Sequence, residues 1–240
     1  MAPKRTARTA GTAGTAGTAG TAGTPGTPGT APTARPPVTR ASAKRAIDVI
    51  IAGAGSALTA PLVALIAVAI RLESPGHPIY RQTRVGRGGA TFEIYKLRTM
   101  MHGAEFTGAG LAIQRGDARI TRVGKALRRC SLDELPNLWN VVRGEMSIVG
   151  PRPTVPVQVA QYTERQRGRL AVKPGITGWA QVNGRASLPW SERIELDLWY
   201  VEHQSLALDL RILAMTGRAV LSGDGLYKGK RGGWHPPSET

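Results

Sequence analysis

Asp133 and Glu134 are the residues of this chain best suited to do chemistry. They stand side by side in Ser131-Leu132-Asp133-Glu134-Leu135-Pro136, within 240 residues whose formal net charge is +16. Two carboxylates among many anion-binding cations are a combination that suits phosphoryl transfer. The same six residues also have a purely local reading. Ser131 followed by Glu134 matches the S-x-x-E capping box, and an acid in a first turn is favoured by the helix dipole. Leu132, Leu135, Trp139 and Val142 recur at helical spacing, which predicts a helix running toward Arg143-Gly144 with one buried face. Pro136 is tolerated only near a helix start, so the N-cap is Ser131 or Asp133. In both frames the carboxylates lie at the N-terminal end, where they can face a phosphate or a metal.

Cations that could meet them come from two places. Residues 79–85 and 91–97 are rich in β-formers and flank Gly86-Arg87-Gly88-Gly89, which predicts a hairpin. Its second strand delivers Lys96 and Arg98, two apart and so on one face, either as a joint phosphate grip or as a solvated basic face. In Gly150-Pro151-Arg152-Pro153 an arginine sits between two prolines of fixed φ, a setting that suits bidentate phosphate contact as well as an exposed turn. Lys173-Pro174-Gly175-Ile176-Thr177-Gly178-Trp179 reads as a loop, and Gln181-Val182-Asn183-Gly184-Arg185 after it as a turn signal. Residues 190–221 return to a helical pattern with Leu206, Leu210 and Leu213 on one face, and Trp199-Tyr200 fits a membrane interface as well as a core. Asp197 and Asp209, taken singly, read as surface or cap acids. Cys130 is the only cysteine, which excludes an intrachain disulfide, and its setting beside a helix start suits packing. The chain has no Walker A loop, no G-x-G-x-x-G after a convincing strand, and no paired His/Cys spacing for zinc.

The elements that must position these groups include a membrane segment. Residues 49–70 carry no charge and are long enough for a hydrocarbon core that needs roughly 20 apolar residues. Lys44 and Arg45 precede the run and Arg71, Arg81, Arg84 and Arg87 follow it, so the distribution of positive charge sets no orientation. Pro61 lies in its middle. A re-entrant helix that bends near Ala60-Pro61 and a kinked spanning helix both satisfy these residues. Ahead of this run, residues 1–40 hold Thr-Ala-Gly and Thr-Pro-Gly repeats with nothing large to bury and read as a disordered basic arm. The arm carries five cations and no acids, so +16 less five leaves +11 on residues 41–240. A field of that sign favours nucleic acid, anionic lipid or phosphate-bearing substrates. Nucleic acid fits least, because only two phenylalanines occur and no basic-aromatic module is visible.

Taken in order, the motifs resemble the monotopic phosphoglycosyl transferases, the bacterial sugar transferases that begin glycan assembly on a polyprenyl phosphate. The resemblance runs from Lys44-Arg45-Ala46-Ile47-Asp48 through Ser74-Pro75-Gly76, Tyr80-Arg81-Gln82, Arg84-Val85-Gly86 and Ile94-Tyr95-Lys96-Leu97-Arg98-Thr99-Met100. It continues through Ile120-Thr121-Arg122-Val123-Gly124, the Asp133-Glu134 segment, Met146-Ser147-Ile148-Val149-Gly150-Pro151-Arg152-Pro153 and the Lys173 loop to Glu195-Leu196-Asp197-Leu198-Trp199-Tyr200. It covers residues 44 to about 227. Two departures stand out: Ala60-Pro61 replaces the usual Ser-Pro, with Thr59 as the substitute hydroxyl, and Cys130 replaces a common threonine.

The resemblance implies that a nucleoside diphosphate sugar, expected to be a UDP-sugar, donates its sugar phosphate to undecaprenyl or a similar polyprenyl phosphate, as the first step of exopolysaccharide or other membrane glycan assembly. Asp133 is implied as the nucleophile that forms a covalent phosphosugar intermediate, Glu134 as a Mg²⁺ ligand, and Lys96 and Arg152 as stabilisers of the phosphate oxygens. Arg98, Asp197 and Asp209 match family positions and are expected to bind substrate. The fold expected is α+β: a re-entrant membrane helix (41–72) and a catalytic domain (73–227) with a β-hairpin, a small sheet and amphipathic interfacial helices, ahead of a flexible tail (228–240). The compact type of the family, without extra spanning helices, is expected at the cytoplasmic face of the bacterial inner membrane. The sequence leaves self-association into a homodimer open and does not encode the sugar or base in any motif. The competing reading is a basic membrane-tethered protein that binds an anionic polymer without catalysis, and it gives no reason for two acids among the arginines.

Overall fold

The computed structural model describes residues 38–104, 117–184 and 187–222. Residues 1–37 of the expected disordered arm and the flexible tail lie outside these residues, as does Arg185; residues 38–40, expected in the arm, are instead the first turn of a long helix. What is described mixes helices with two small two-stranded sheets.

Helix α1 (Val38–Glu73) runs for 36 residues, about 54 Å at 1.5 Å per residue, and continues through Pro61. Pro61 cannot donate to the carbonyl of Ala57. The Thr59 hydroxyl does not take over that carbonyl but donates to Gly55 O at 2.7 Å, a back-bond of the kind that favours bending. One stripe of α1 faces the rest of the chain: Ala52 and Ile70 are buried, and Gly55 lets Leu138 pack directly against the helix backbone. The opposite stripe of Leu58, Leu62, Leu65, Val68 and Leu72 follows the same i, i+3, i+4 rhythm and is exposed, Leu58 at 83% and Leu72 at 84%. The helix is long and apolar enough to cross a membrane.

Both ends of α1 are seated on the same domain. At its start Lys44 pairs with Asp209 at 2.7 Å, Arg45 donates to Val141 O and Val142 O at 2.6 and 2.9 Å, and Asp48 accepts from Ile148 N at 3.0 Å. Near its end Ile70 packs with Leu97 and Leu127, and the Glu73 carboxylate accepts from Arg122 N and Val123 N at 2.7 and 3.0 Å.

The hairpin forms where the sequence placed it. Strand β1 (Ile79–Val85) runs antiparallel to β2 (Thr91–Leu97), with Ile79 opposite Leu97 and Val85 opposite Thr91. The connection needs positive φ at Gly88 and Gly89, which glycine adopts without steric cost. Helix α2 (Arg122–Arg129) is capped by Thr121, and a Cβ on Gly124 would collide with the Thr99 backbone, so this helix lies hard against the end of the hairpin. Helix α3 (Asn137–Arg143) leads to strand β3 (Ser147–Val149), which pairs in parallel with β4 (Gly175–Thr177). The short helices α4 (Pro156–Val159) and α5 (Glu164–Arg167) lie between these strands, and α6 (Trp179–Val182) follows them.

The helical run predicted for 190–221 is two helices, α7 (Trp190–His203) and α8 (Leu206–Ser222). The Ser205 hydroxyl restarts the chain by accepting from Leu208 N at 3.2 Å. The apolar face of α8 also differs from expectation. Leu208 and Ile212 enter the core with Val141, Met146, Val149 and Tyr200, whereas Leu206 and Leu210 point outward. Tyr200 is fully buried and Trp199 is partly exposed, so the pair divides between core and surface.

Candidate active site

The two acids sit on a turn, not in a helix. Leu132–Glu134 is one 3₁₀ turn, Ser131 adopts left-handed φ/ψ of 54° and 22°, and α3 begins only at Asn137, after Pro136. The expected capping box is absent. Glu134 cannot reach back to Ser131, because its Oε1 accepts from Lys96 Nζ at 2.7 Å and from Arg152 Nη2 at 2.8 Å. The Ser131 side chain makes no capping bond. A serine in the left-handed region is uncommon and strained, and here it turns the chain so that the acids face β2.

The face assigned to the following helix also shifts. Trp139 is 53% exposed, while Asn137, Asn140 and Val141 are buried. Asn140 explains the inversion: its Nδ2 donates to Glu93 O and to Glu145, and its Oδ1 accepts from Tyr95 N, so α3 is tied side-on to β2 through a polar residue.

Four predicted site residues, Asp133, Glu134, Lys96 and Arg152, therefore converge, and the structure adds Arg84. Arg84, Lys96, Glu134, Asn137 and Arg152 line one small cavity. Arg84 was not singled out from sequence as a site residue. The hairpin register contains the signal, since Tyr80 opposite Lys96 and Arg84 opposite Phe92 put residues 80, 82 and 84 on the face that carries Lys96.

The two carboxylates differ sharply. Burial alone would raise the Glu134 pKa, but the charges of Arg152 and Lys96 and their hydrogen bonds outweigh it and hold the group well below the usual carboxylate range. Burial raises the Asp133 pKa and the neighbouring Glu134 charge adds to it, against the lowering effects of Lys96, Arg128 and Arg152. Among the described residues, neither oxygen of Asp133 takes part in a hydrogen bond or ion pair. Burial lowers the Lys96 pKa, reinforced by Arg152 and opposed by Glu134. Burial and then Arg152 bring Arg84 down to about 10. The Glu134 charge raises Arg152.

The other three expected substrate contacts are placed elsewhere. Arg98 follows the last residue of β2, where the chain leaves the strand, and its Nη2 donates to Ser74 O and Oγ at 2.7 and 2.8 Å. It holds the turn after α1 and does not join Lys96 on a common phosphate grip. Asp197 is 2% exposed and paired with Arg169. Asp209 is 6% exposed, bound by Lys44 and by Tyr200 Oη at 2.7 Å. Both acids are enclosed by protein partners that link separate elements.

Among the described residues no group of three or more His, Cys, Asp or Glu gathers as a metal cage. The donor set at the acids still fits magnesium, which takes one or two carboxylates with the rest of its shell from substrate phosphates and water. Asp133 and the second oxygen of Glu134 are hard oxygen donors with no hydrogen-bond partner among the described residues.

A family model described as bacterial sugar transferase matches residues 39–223. The chain is 47% identical over 192 residues to a UDP-glucose:undecaprenyl-phosphate glucose-1-phosphate transferase of Caulobacter vibrioides, covering 77% of this chain and 72% of that one. It is 40% identical over 185 residues to an uncharacterized sugar transferase of Bacillus subtilis, covering 77% of this chain and 90% of the relative. An Escherichia coli protein with the same name as the Caulobacter enzyme is 43% identical over 181 residues, covering 72% of this chain and 39% of the relative.

Proposed function

The chain belongs to the bacterial sugar transferase family, and we propose that it transfers a sugar 1-phosphate from a UDP-sugar to undecaprenyl phosphate, releasing UMP. The observation that carries this reading is the pairing of an unengaged, desolvated Asp133 with a Glu134 fixed by Lys96 and Arg152.

In the first displacement an Asp133 carboxylate oxygen attacks the β-phosphorus of the donor. The new carboxylate O–P bond forms as the bond to the bridging oxygen breaks, and UMP departs with that oxygen and its electron pair. In the second, a phosphate oxygen of the acceptor lipid attacks the same phosphorus, the Asp133 O–P bond breaks, and the free carboxylate returns with a polyprenyl diphosphate sugar as product. Lys96 and Arg152 would meet the charge that builds on the equatorial oxygens, and because Glu134 already orients them little reorganisation would be needed. Glu134 and Asp133 are the residues that would hold Mg²⁺, which when bound would offset the repulsion between the attacking anion and the diphosphate.

The reading includes the membrane. The outward stripe of α1 is proposed to enter the cytoplasmic leaflet and return without crossing, because both ends of α1 dock on one domain, which must meet a soluble nucleotide sugar. Exposed Leu206 and Leu210 and half-exposed Trp139 are further apolar side chains suited to contact with lipid. Incubating purified protein with donor labelled in its β-phosphate, without lipid, tests the chemistry. Label should stay on the protein at Asp133 with one UMP released per site, and label on any other residue would refute the assignment.

A further inference from the structure

Pro151 and Pro153 have no N–H, so the loop that carries Arg152 can be held mainly through its carbonyls. Each of four consecutive carbonyls is held by a different donor. Pro151 O accepts from Gly175 N at 2.9 Å, Arg152 O from Arg169 Nη2 at 3.0 Å, Pro153 O from Arg84 Nη1 at 3.1 Å, and Thr154 O from Val85 N at 2.9 Å. Three of these donors are parts of the hairpin and of strand β4. The fourth, Arg169, is a buried cation, 4% exposed.

Arg169 has several partners at once. The same guanidinium binds Asp197 of α7 and the Tyr162 hydroxyl, and the Tyr162 hydroxyl lies 3.1 Å from Thr154 Oγ1. Its Cζ also lies 5.7 Å from the ring centroids of Tyr162 and Trp190. A guanidinium fixed on several sides is a rigid anchor, and lysine offers neither the planar fork nor the reach.

Resting on the functional reading above, we propose that Arg169, oriented by Asp197, is a positioning residue of the transfer reaction that aims Arg152 at Glu134 and at the phosphate oxygens. It does not touch substrate. Its effect passes through the backbone of residue 152, and Asp197 acts one step further back.

A double-mutant cycle on the full chain distinguishes positioning from general support, since residues acting through one another are not additive. Arg169→Lys should slow UMP release in a single turnover by about tenfold or more, as expected for loss of a preorganised contact. In an Arg152→Ala background the same substitution should change the rate less than about twofold. Equal factors in the two backgrounds would overturn the proposal. Tyr162→Phe, which keeps the ring and removes one anchor, runs through the same cycle and is expected to give the same non-additivity on a smaller scale, so a misfolded lysine variant does not end the test. Hydrogen exchange over residues 147–155 gives a readout free of turnover. It should accelerate in the Arg169 and Tyr162 variants, and unchanged exchange there would equally overturn the proposal. A wild-type protein inert toward every UDP-sugar would sink the functional reading instead, while the exchange result still tests the clamp.

Discussion

Glu134→Gln changes one charge and almost no volume, so its cost can be worked from the two bonds at Oε1. Hydrogen bonds with an ionised partner are worth about 1.5–3 kcal/mol net; at Glu134 both partners are ionised and the Gln variant leaves only the cation, so each bond falls across that range, by about 1–1.5 kcal/mol. The Arg152 side chain is 46% exposed and solvent screens its share, which puts the sum near the low end, about 2 kcal/mol. At 1.36 kcal/mol per decade that is roughly thirtyfold from the loosened cations alone. Loss of an oxygen proposed to hold Mg²⁺ would add to it, so the expected slowing of the first displacement is about a hundredfold or more. The assay is UMP release in a single turnover, with and without a chelator. Chelator should slow the wild type by a comparable factor and the Gln variant by little, because both perturbations strike one site. A Gln variant within threefold of wild type would refute the electrostatic reasoning, and multiplying effects would place the metal elsewhere.

Asp133→Asn should abolish both UMP release and covalent labelling, since an amide cannot act as the attacking anion; substantial turnover by this variant would remove Asp133 as nucleophile. The first displacement needs ionised Asp133, so its rate should fall as pH drops through that raised pKa. Lys96→Met removes a charge that lowers the Asp133 pKa and should move this acid limb to higher pH, whereas Glu134→Gln removes a charge that raises it and should move the limb to lower pH; pH profiles shifting the same way would contradict the site electrostatics. For the membrane arrangement, Ala43→Cys and His77→Cys, each in a Cys130→Ser background, should resist an impermeant thiol reagent outside intact cells and react once the cells are opened. Labelling of only one of them from outside would establish a crossing helix.

Local chemistry made the hairpin legible to the residue: β-formers on both sides of a glycine cluster leave little choice of register. The convergence of Lys96, Asp133, Glu134 and Arg152 was legible only through the order of motifs, because the contacts that build it span 38 and 18 residues. Failures came where a long-range partner outcompeted a local one. Ser131 and Glu134 have the spacing of a capping box, yet two cations from distant segments claim the glutamate. Asn140 has the look of a surface residue of α3 but is drawn inside by the Glu93 carbonyl, which rotates Trp139 outward. Asp197 and Asp209 gave no local sign of burial, since their partners Arg169 and Lys44 lie 28 and 165 residues away. Arg98 follows strand alternation on paper and departs from it because the strand ends at Leu97.

Asp133 and Glu134 are neighbours in sequence with the same functional group, and their roles are separable by environment alone. Glu134 has an oxygen committed to two cations, which hold it ionised and lower the energy of its lone pairs. A carboxylate so engaged is a poor nucleophile and a good scaffold. Asp133 is desolvated without compensating hydrogen bonds among the described residues, so its ionised form is raised in energy and has something to gain by forming a bond to phosphorus. The same Lys96 charge that helps hold Glu134 ionised also lowers the Asp133 pKa, against the burial that raises it. One cation thus fixes the scaffold and favours the attacking charge, and these surroundings support the proposed assignment of Asp133 as nucleophile and Glu134 as electrostatic partner.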